Sequence, residues 1–223
     1  DLETDIEAKN YETIYICDLG FSEKNLNYCL NHPEIANKIK NFDHHESEEA
    51  KNKYPFVNEV IKLNGRLTCA TELFYNYLLT LPNSDFLKND FFKKMVNAIR
   101  CEDTWAFEAE NNTLGPDLAT LHAFLGATTF IDVISNLNCT GDFYLPKAYE
   151  DIIASQNAAK DYDVANYVKK SRLIEYNNYK IIVSISEGYR SYVGNELMKN
   201  HIASSDDMFK RTPVNATILL SHI

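Results

Sequence analysis

Two stretches decide the fold: Thr13-Ile14-Tyr15-Ile16-Cys17-Asp18 and Lys38-Ile39-Lys40-Asn41-Phe42-Asp43-His44-His45. The first is a β-branched and aromatic run, apolar on both faces, which predicts a strand buried in a parallel sheet. Ser22 then offers an N-cap for a helix to about Leu30, and Pro33 punctuates its end. Strand, loop and helix make half of a βαβ unit. The second stretch alternates enough to be another strand, so two strands run straight into ligand-type residues, Asp18 and Asp43-His44-His45. In open parallel sheets the functional crevice lies beyond the carboxyl ends of the strands, which is where chemistry is expected here.

Outward from this core, Phe56–Val60 reads as a third strand and Thr68–Leu81 carries apolar residues at helical spacing until Pro82. Asn83 or Ser84 caps a further helix through about Cys101, with Asp103-Thr104-Trp105 after it. Pro116–Leu137 is mostly helical, and Pro146–Tyr176 reads as one long polar-faced connector helix. Tyr179–Ile185 restores strand character, Val193–Asn200 is helical and Ala216–Leu220 is another strand. The fold class is α/β: a parallel-sheet domain flanked by helices over residues 1–145, a connector helix over 146–178 and a small α/β domain over 179–223.

Composition agrees with this frame. The chain has 223 residues, 45% hydrophobic and 24% charged, enough for a sizeable core. Only 7 Gly and 6 Pro against 14 Tyr and 12 Phe favour helices and packed sheet over a loop-rich all-β scaffold. With 22 Lys+Arg against 32 Asp+Glu, the net charge of −10 disfavours a protein that coats duplex DNA. It leaves room for a small site where cations held by carboxylates reverse the local sign. The 5 Cys are odd in number, widely spaced and form no CxxC pair, which reads as reduced intracellular thiols. Neither an apolar run of about 18 residues nor a secretory leader is visible, so a cytoplasmic location without a membrane partner is expected.

The sharpest chemical signal is Asp43-His44-His45, because the whole chain has only 6 His. Imidazole and carboxylate are ligand types that Mn²⁺ and Zn²⁺ accept, and a further carboxylate commonly orients a ligating imidazole. Alone, the tripeptide reads equally well as a solvated turn, Asp18 as a turn residue and Asp103 as a helix cap. Together they place three separate segments at one crevice.

Tyr15-Ile16-Cys17-Asp18, Phe42-Asp43-His44-His45, Thr68-Cys69-Ala70-Thr71-Glu72-Leu73 and Glu102-Asp103-Thr104-Trp105, in this order, resemble the motifs of the DHH phosphoesterase family, nearest to its bacterial short-RNA-degrading oligoribonucleases. The resemblance implies a DHH catalytic domain and a DHH-associated substrate domain. It implies metal ligation by Asp18, His44 and Asp103, with Asp18 bridging. Asp43 would hold the histidine from behind and His45 would face the scissile phosphate. Thr68 and Thr71 are weaker candidates for supporting the site, equally read as ordinary helix residues. Two Mn²⁺ ions about 3.5–4 Å apart are expected to activate a water for phosphodiester hydrolysis, with Mg²⁺ or Co²⁺ as alternatives.

The family's first metal cluster has no counterpart before Tyr11, and its Gly-rich, His-containing loop has none before the last residue. Both domains are therefore expected to be parts of a longer protein, the alternative being a degenerate member with one metal at most. Arg190 offers a bidentate phosphate contact and Tyr189 or Tyr192 a stacking face for a base; a surface turn with core tyrosines is the alternative. His122 and His201 read as helix-surface or core histidines. The expected substrate is short single-stranded RNA, with a nucleoside 3′,5′-bisphosphate or a dinucleotide as alternatives, and a homodimer is expected. The rival of another class is a non-catalytic nucleotide-binding domain.

Overall fold

The computed structural model describes residues 10–45, 54–137, 144–176, 179–202 and 216–220. The chain is mixed α/β and divides into two compact units, Asp1–Leu145 and Pro146–Ile223. No helix among the described residues is long and apolar enough to cross a membrane.

In the first unit β1 (Ile14–Cys17) runs parallel to β2 (Ile39–Phe42), pairing Ile14 with Ile39 and Cys17 with Phe42. Helices α1 (Glu23–Asn31) and α2 (Pro33–Ala36) connect them. The Ser22 side chain accepts from the Asn25 amide and starts α1, while Pro33 occupies the first turn of α2, where its missing N–H costs nothing. Phe21, Leu26, Cys29, Ile35, Ile39, Phe56 and Val57 close a core on one side of the pair. Phe42 meets Phe74 and Tyr77 of α3 (Ala70–Leu78) on the other, at 5.3 Å in each case. Each such ring contact adds roughly 0.5–1.5 kcal/mol beyond area burial.

Two expectations change here. β1 is half exposed: burial alternates along it, and Tyr15 is left 45% exposed. An apolar run cannot disclose that Ile14 and Ile16 pack against a core while the face of Tyr15 and Cys17 is less covered. Phe56–Val60 forms a single parallel bridge, Asp43 to Glu59, and the regular pairing falls later, in the hairpin of β3 (Lys62–Leu63) and β4 (Arg66–Leu67). Asn64 and Gly65 take positive φ at its turn, and that turn moves the pairing downstream.

Helix α4 (Asp90–Asp103) starts at Asn89, whose side chain accepts from the Phe92 amide; Ser84 instead precedes a short 3₁₀ turn over Asp85–Lys88. Asp103 is thus the last residue of α4. Helices α5 (Leu114–Leu125) and α6 (Ala127–Leu137) are separated by Gly126 at φ 76°. Phe91, Met95, Ala98 and Leu118 join α4 to α5, with Phe130 and Ile134 packed against them.

In the second unit α7 (Lys147–Lys170) ends earlier than Tyr176, because Arg172–Tyr176 is β5, antiparallel to β6 (Tyr179–Ile185) from Arg172–Val183 to Tyr176–Tyr179. Pairing to a strand overrides helical spacing in that stretch. Nor is α7 a bare connector: Val164 is buried with Ile182 of β6 and with Val193 and Leu197 of α8 (Arg190–Ile202). The final strand, β7 (Ala216–Leu220), pairs parallel to β6.

Candidate metal centre

Asp18 immediately follows β1 at φ 60°, and its amide donates to the Phe42 carbonyl at 2.9 Å. This bond ties the two strand ends together. Asn41, buried at the end of β2, extends the tie: its Nδ2 donates to the carbonyls of Leu19 (3.2 Å) and Ile16 (3.4 Å), and its Oδ1 accepts from the Asn58 amide at 3.1 Å. Sequence reading missed Asn41. The available signal is a carboxamide in phase with Ile39, on the apolar face of an alternating strand, which must find partners when buried.

Asp43 has no exposed surface. Its backbone is held on both sides, accepting from Val60 N (2.8 Å) and donating to the Asn58 carbonyl (3.2 Å). Its Oδ1 accepts from the amides of His44 (2.9 Å) and His45 (3.3 Å) and lies 2.8 Å from His45 Nδ1. Oδ2 faces Gly20, where a Cβ would lie 3.5 Å away. One carboxylate therefore sets the backbone that presents both histidines and fixes one of the two rings.

His44 Nε2 lies 3.1 Å from Asp18 Oδ1 and 3.0 Å from Asp103 Oδ2. The nitrogen is buried and makes no hydrogen bond of acceptable geometry with either oxygen. A buried polar atom normally has a partner. An imidazole nitrogen flanked by two anionic oxygens at these distances is a set that could hold a cation between them. Asp18, His44 and His45 place one ligand atom each within 4.8 Å of one another, the one such group among the described residues. The donor set of imidazole and carboxylate fits a borderline or hard divalent metal.

The electrostatics follow from this crowding. Burial pushes the Asp103 carboxyl above its ordinary value, and the Asp18 charge adds to that, while His44 and His45 work against it. The hydrogen bond to Asp43 raises the His45 imidazole; burial opposes the rise, and the charges of Asp43, Asp18 and Asp103 support it. Three carboxylates against two imidazoles leave the site short of positive charge.

Asp103 is positioned by a network that the sequence did not disclose. Arg100, only 1% exposed, reaches Glu110 Oε2 and Asn97 Oδ1 and thereby pins the loop after α4 back onto the helix. Trp105, at φ 57°, begins that loop by donating its amide to the Glu102 carbonyl. Thr68 and Glu72 support α3 instead: Thr68 Oγ1 donates to Glu72 Oε2 at 2.6 Å, and Arg66 closes on Oε1 of the same carboxylate. Thr71 is half-buried on α3.

In the second unit Tyr189, at φ 54°, and Arg190 are exposed at the start of α8. Tyr192 is different. Its ring packs against the core and carries Lys160 Nζ over one face at 4.2 Å, so that face is closed to a base. His122 is exposed on α5 with its ring edge-on to Phe130 at 5.2 Å, and His201 has no described side chain.

No family model and no solved structure matches the chain. Oligoribonuclease NrnB of Bacillus subtilis (strain 168) is 25% identical over 207 residues, which is 90% of this chain and 50% of that protein. The chain thus spans about half the length of the curated relative it matches. This likeness over nearly the whole chain supports a DHH-family, nanoRNase-like protein, in keeping with the four motifs and with the approach of Asp18, His44 and Asp103 to one another.

Proposed function

We propose that this chain carries the DHH catalytic domain and part of the DHH-associated domain of a metal-dependent phosphodiester hydrolase that degrades short RNA to mononucleotides. The observation that carries the proposal is the buried, unbonded Nε2 of His44 between Asp18 and Asp103. The relative's being an oligoribonuclease supports the substrate class. Asp18, His44 and Asp103 would hold Mn²⁺, or Mg²⁺ or Co²⁺ in its place; when bound, the metal supplies an activated water and neutralises charge on the phosphoryl oxygens.

The chain's own groups do the rest. Asp18 and Asp103 bring anionic oxygens to the end of the sheet, where the strand tie through Asn41 holds Asp18 in place. Asp43 keeps His45 in one orientation and favours its protonated form, so the ring offers a positive N–H donor to a phosphate oxygen as charge develops there. On the second unit, exposed Arg190 and Tyr189 are proposed to bind phosphate and base respectively. None of this requires a protein nucleophile.

The test is hydrolysis of di- to pentaribonucleotides with Mn²⁺, set beside a nucleoside 3′,5′-bisphosphate and a cyclic dinucleotide, with His44→Ala as control. Mononucleotide release from short RNA that His44→Ala abolishes is the expected result. Turnover of the bisphosphate alone would move the substrate assignment. No turnover with any divalent metal would leave a nucleotide-binding domain as the reading.

A further inference from the structure

Beside the metal centre, α4, α5 and α6 enclose a cleft of about 250 Å³. Its walls are apolar, formed by Met95 and Ile99 of α4, Leu118 of α5 and Phe130 of α6. Polar groups stand at a few points only: Glu102, Asp103 and His122. The cleft owes its shape to one close contact. At Gly115 a Cβ would lie 2.3 Å from the Ala98 carbonyl oxygen, so α5 touches α4 there, and α6 supplies the facing wall through Phe130.

Asp103 belongs to both places. It lines this cleft, and its Oδ2 stands 3.0 Å from His44 Nε2. A ligand seated in the cleft therefore lies against the same residue that faces the reacting group. The volume falls just under the roughly 300–1,000 Å³ of pockets that take drug-sized molecules, so the cleft accommodates one ring system and not a whole dinucleotide. Apolar walls with a ring pair, Phe130 and His122, and a few polar atoms suit a flat group with apolar faces and hydrogen-bonding edges. An alkyl chain would gain nothing from the polar groups.

We propose that this cleft is a nucleobase pocket, which holds one base of the substrate whose phosphate is handled at Asp18, His44 and Asp103. The inference rests on the hydrolase reading for the identity of the phosphate-bearing ligand, while the pocket itself can be tested without catalysis. Phe130 stacks the base, and His122 reads its edge.

The experiment uses the protein with ¹³C-labelled methionine methyl groups, free of metal, titrated with adenosine and separately with ribose 5-phosphate. Met95 lines the cleft, and Met198, on α8 of the second unit, serves as the internal control. Adenosine is expected to shift the Met95 methyl signal and leave Met198 in place; ribose 5-phosphate, which has no base, leaves both. Ala119→Leu, which fills the cleft from α5, is expected to abolish the adenosine shift. Should that variant misfold, Phe130→Ala is expected to weaken the shift by opening the stacking wall.

In hydrolysis assays, a diribonucleotide is expected to be favoured over the same molecule lacking one base by about tenfold in KM, and Ala119→Leu to bring that ratio near one. A Met95 signal unmoved by adenosine, or moved equally by ribose 5-phosphate, overturns the pocket whatever the hydrolysis assays give. A base-dependent shift in a protein that hydrolyses no RNA keeps the pocket and removes the hydrolase reading.

Discussion

His45 Nδ1 lies 2.8 Å from Oδ1 of Asp43, a carboxylate with no exposed surface, and the same oxygen receives the backbone amides of both histidines. The pairing raises the His45 imidazole above its ordinary 6.5. A raised imidazole contributes stability that is complete below the unfolded value and is lost as pH rises through the folded one. Asp43→Asn keeps the shape and removes the charge. Its stability deficit is therefore expected to be larger at pH 5.5 than at pH 8.5, with the His45 titration midpoint lowered. Thermal unfolding at the two pH values and NMR titration of the ring check both; equal deficits would remove the ion pair as the cause.

Asp103 stands the other way round. Burial and the Asp18 charge raise its carboxyl, so the folded state loses stability as pH rises from 3.8 through the raised value, and the charged form is a cost at neutral pH. Asp103→Asn is expected to unfold at the same or a higher temperature than the parent in chelator, yet to bind Mn²⁺ at least about tenfold more weakly. Calorimetric metal titration and unfolding with and without Mn²⁺ test the pair of outcomes.

The Arg100–Glu110 pair predicts an acid-sensitive loop. Arg100 holds the Glu110 carboxyl below its ordinary value of 4.5, so this stability is present above that pH and is lost as pH falls through the lowered one. Glu110 is 40% exposed, and water screens part of the interaction. Glu110→Gln is expected to cost roughly 1 kcal/mol at pH 7 and less in acid. Urea unfolding at pH 7 and pH 4 measures it, and reduced Mn²⁺ affinity in the same variant would show that the loop positions Asp103.

At Gly115 the spacing leaves no choice of residue. An added Cβ at 2.3 Å from the Ala98 oxygen and 3.0 Å from Glu102 Cβ must push α5 off α4. Gly115→Ala is expected to destabilise by about 1–3 kcal/mol, despite alanine's better helix propensity. Denaturant titration checks the sign, which propensity and packing predict oppositely.

Several elements were legible in the sequence because their determinants are local. The Ser22 cap, the strands ending at Cys17 and Phe42, and the strands Tyr179–Ile185 and Ala216–Leu220 depend on neighbouring residues and on β-branched runs. The start of α4 at Asn89 is not legible in the sequence, since Ser84 is as good a cap by chemistry and only the intervening 3₁₀ turn separates them. The strand Arg172–Tyr176 has helical spacing in the sequence, and its pairing with Tyr179–Ile185 decides its state instead.

For the candidate site the division is similar. The sequence by itself determined that Asp18, Asp43, His44, His45 and Asp103, residue types able to ligate a metal, stand at strand and helix ends, because residue type at such an end is a local property. Only the tertiary structure decided that Asp103, from the far end of α4, stands 3.0 Å from His44, that Asp43 spends its carboxylate on the His45 ring, and that Lys160 closes one face of Tyr192. These depend on packing between segments distant in the chain. The partners through which the buried polar groups of Asn41 and Arg100 hold the site in place are likewise set by the tertiary structure.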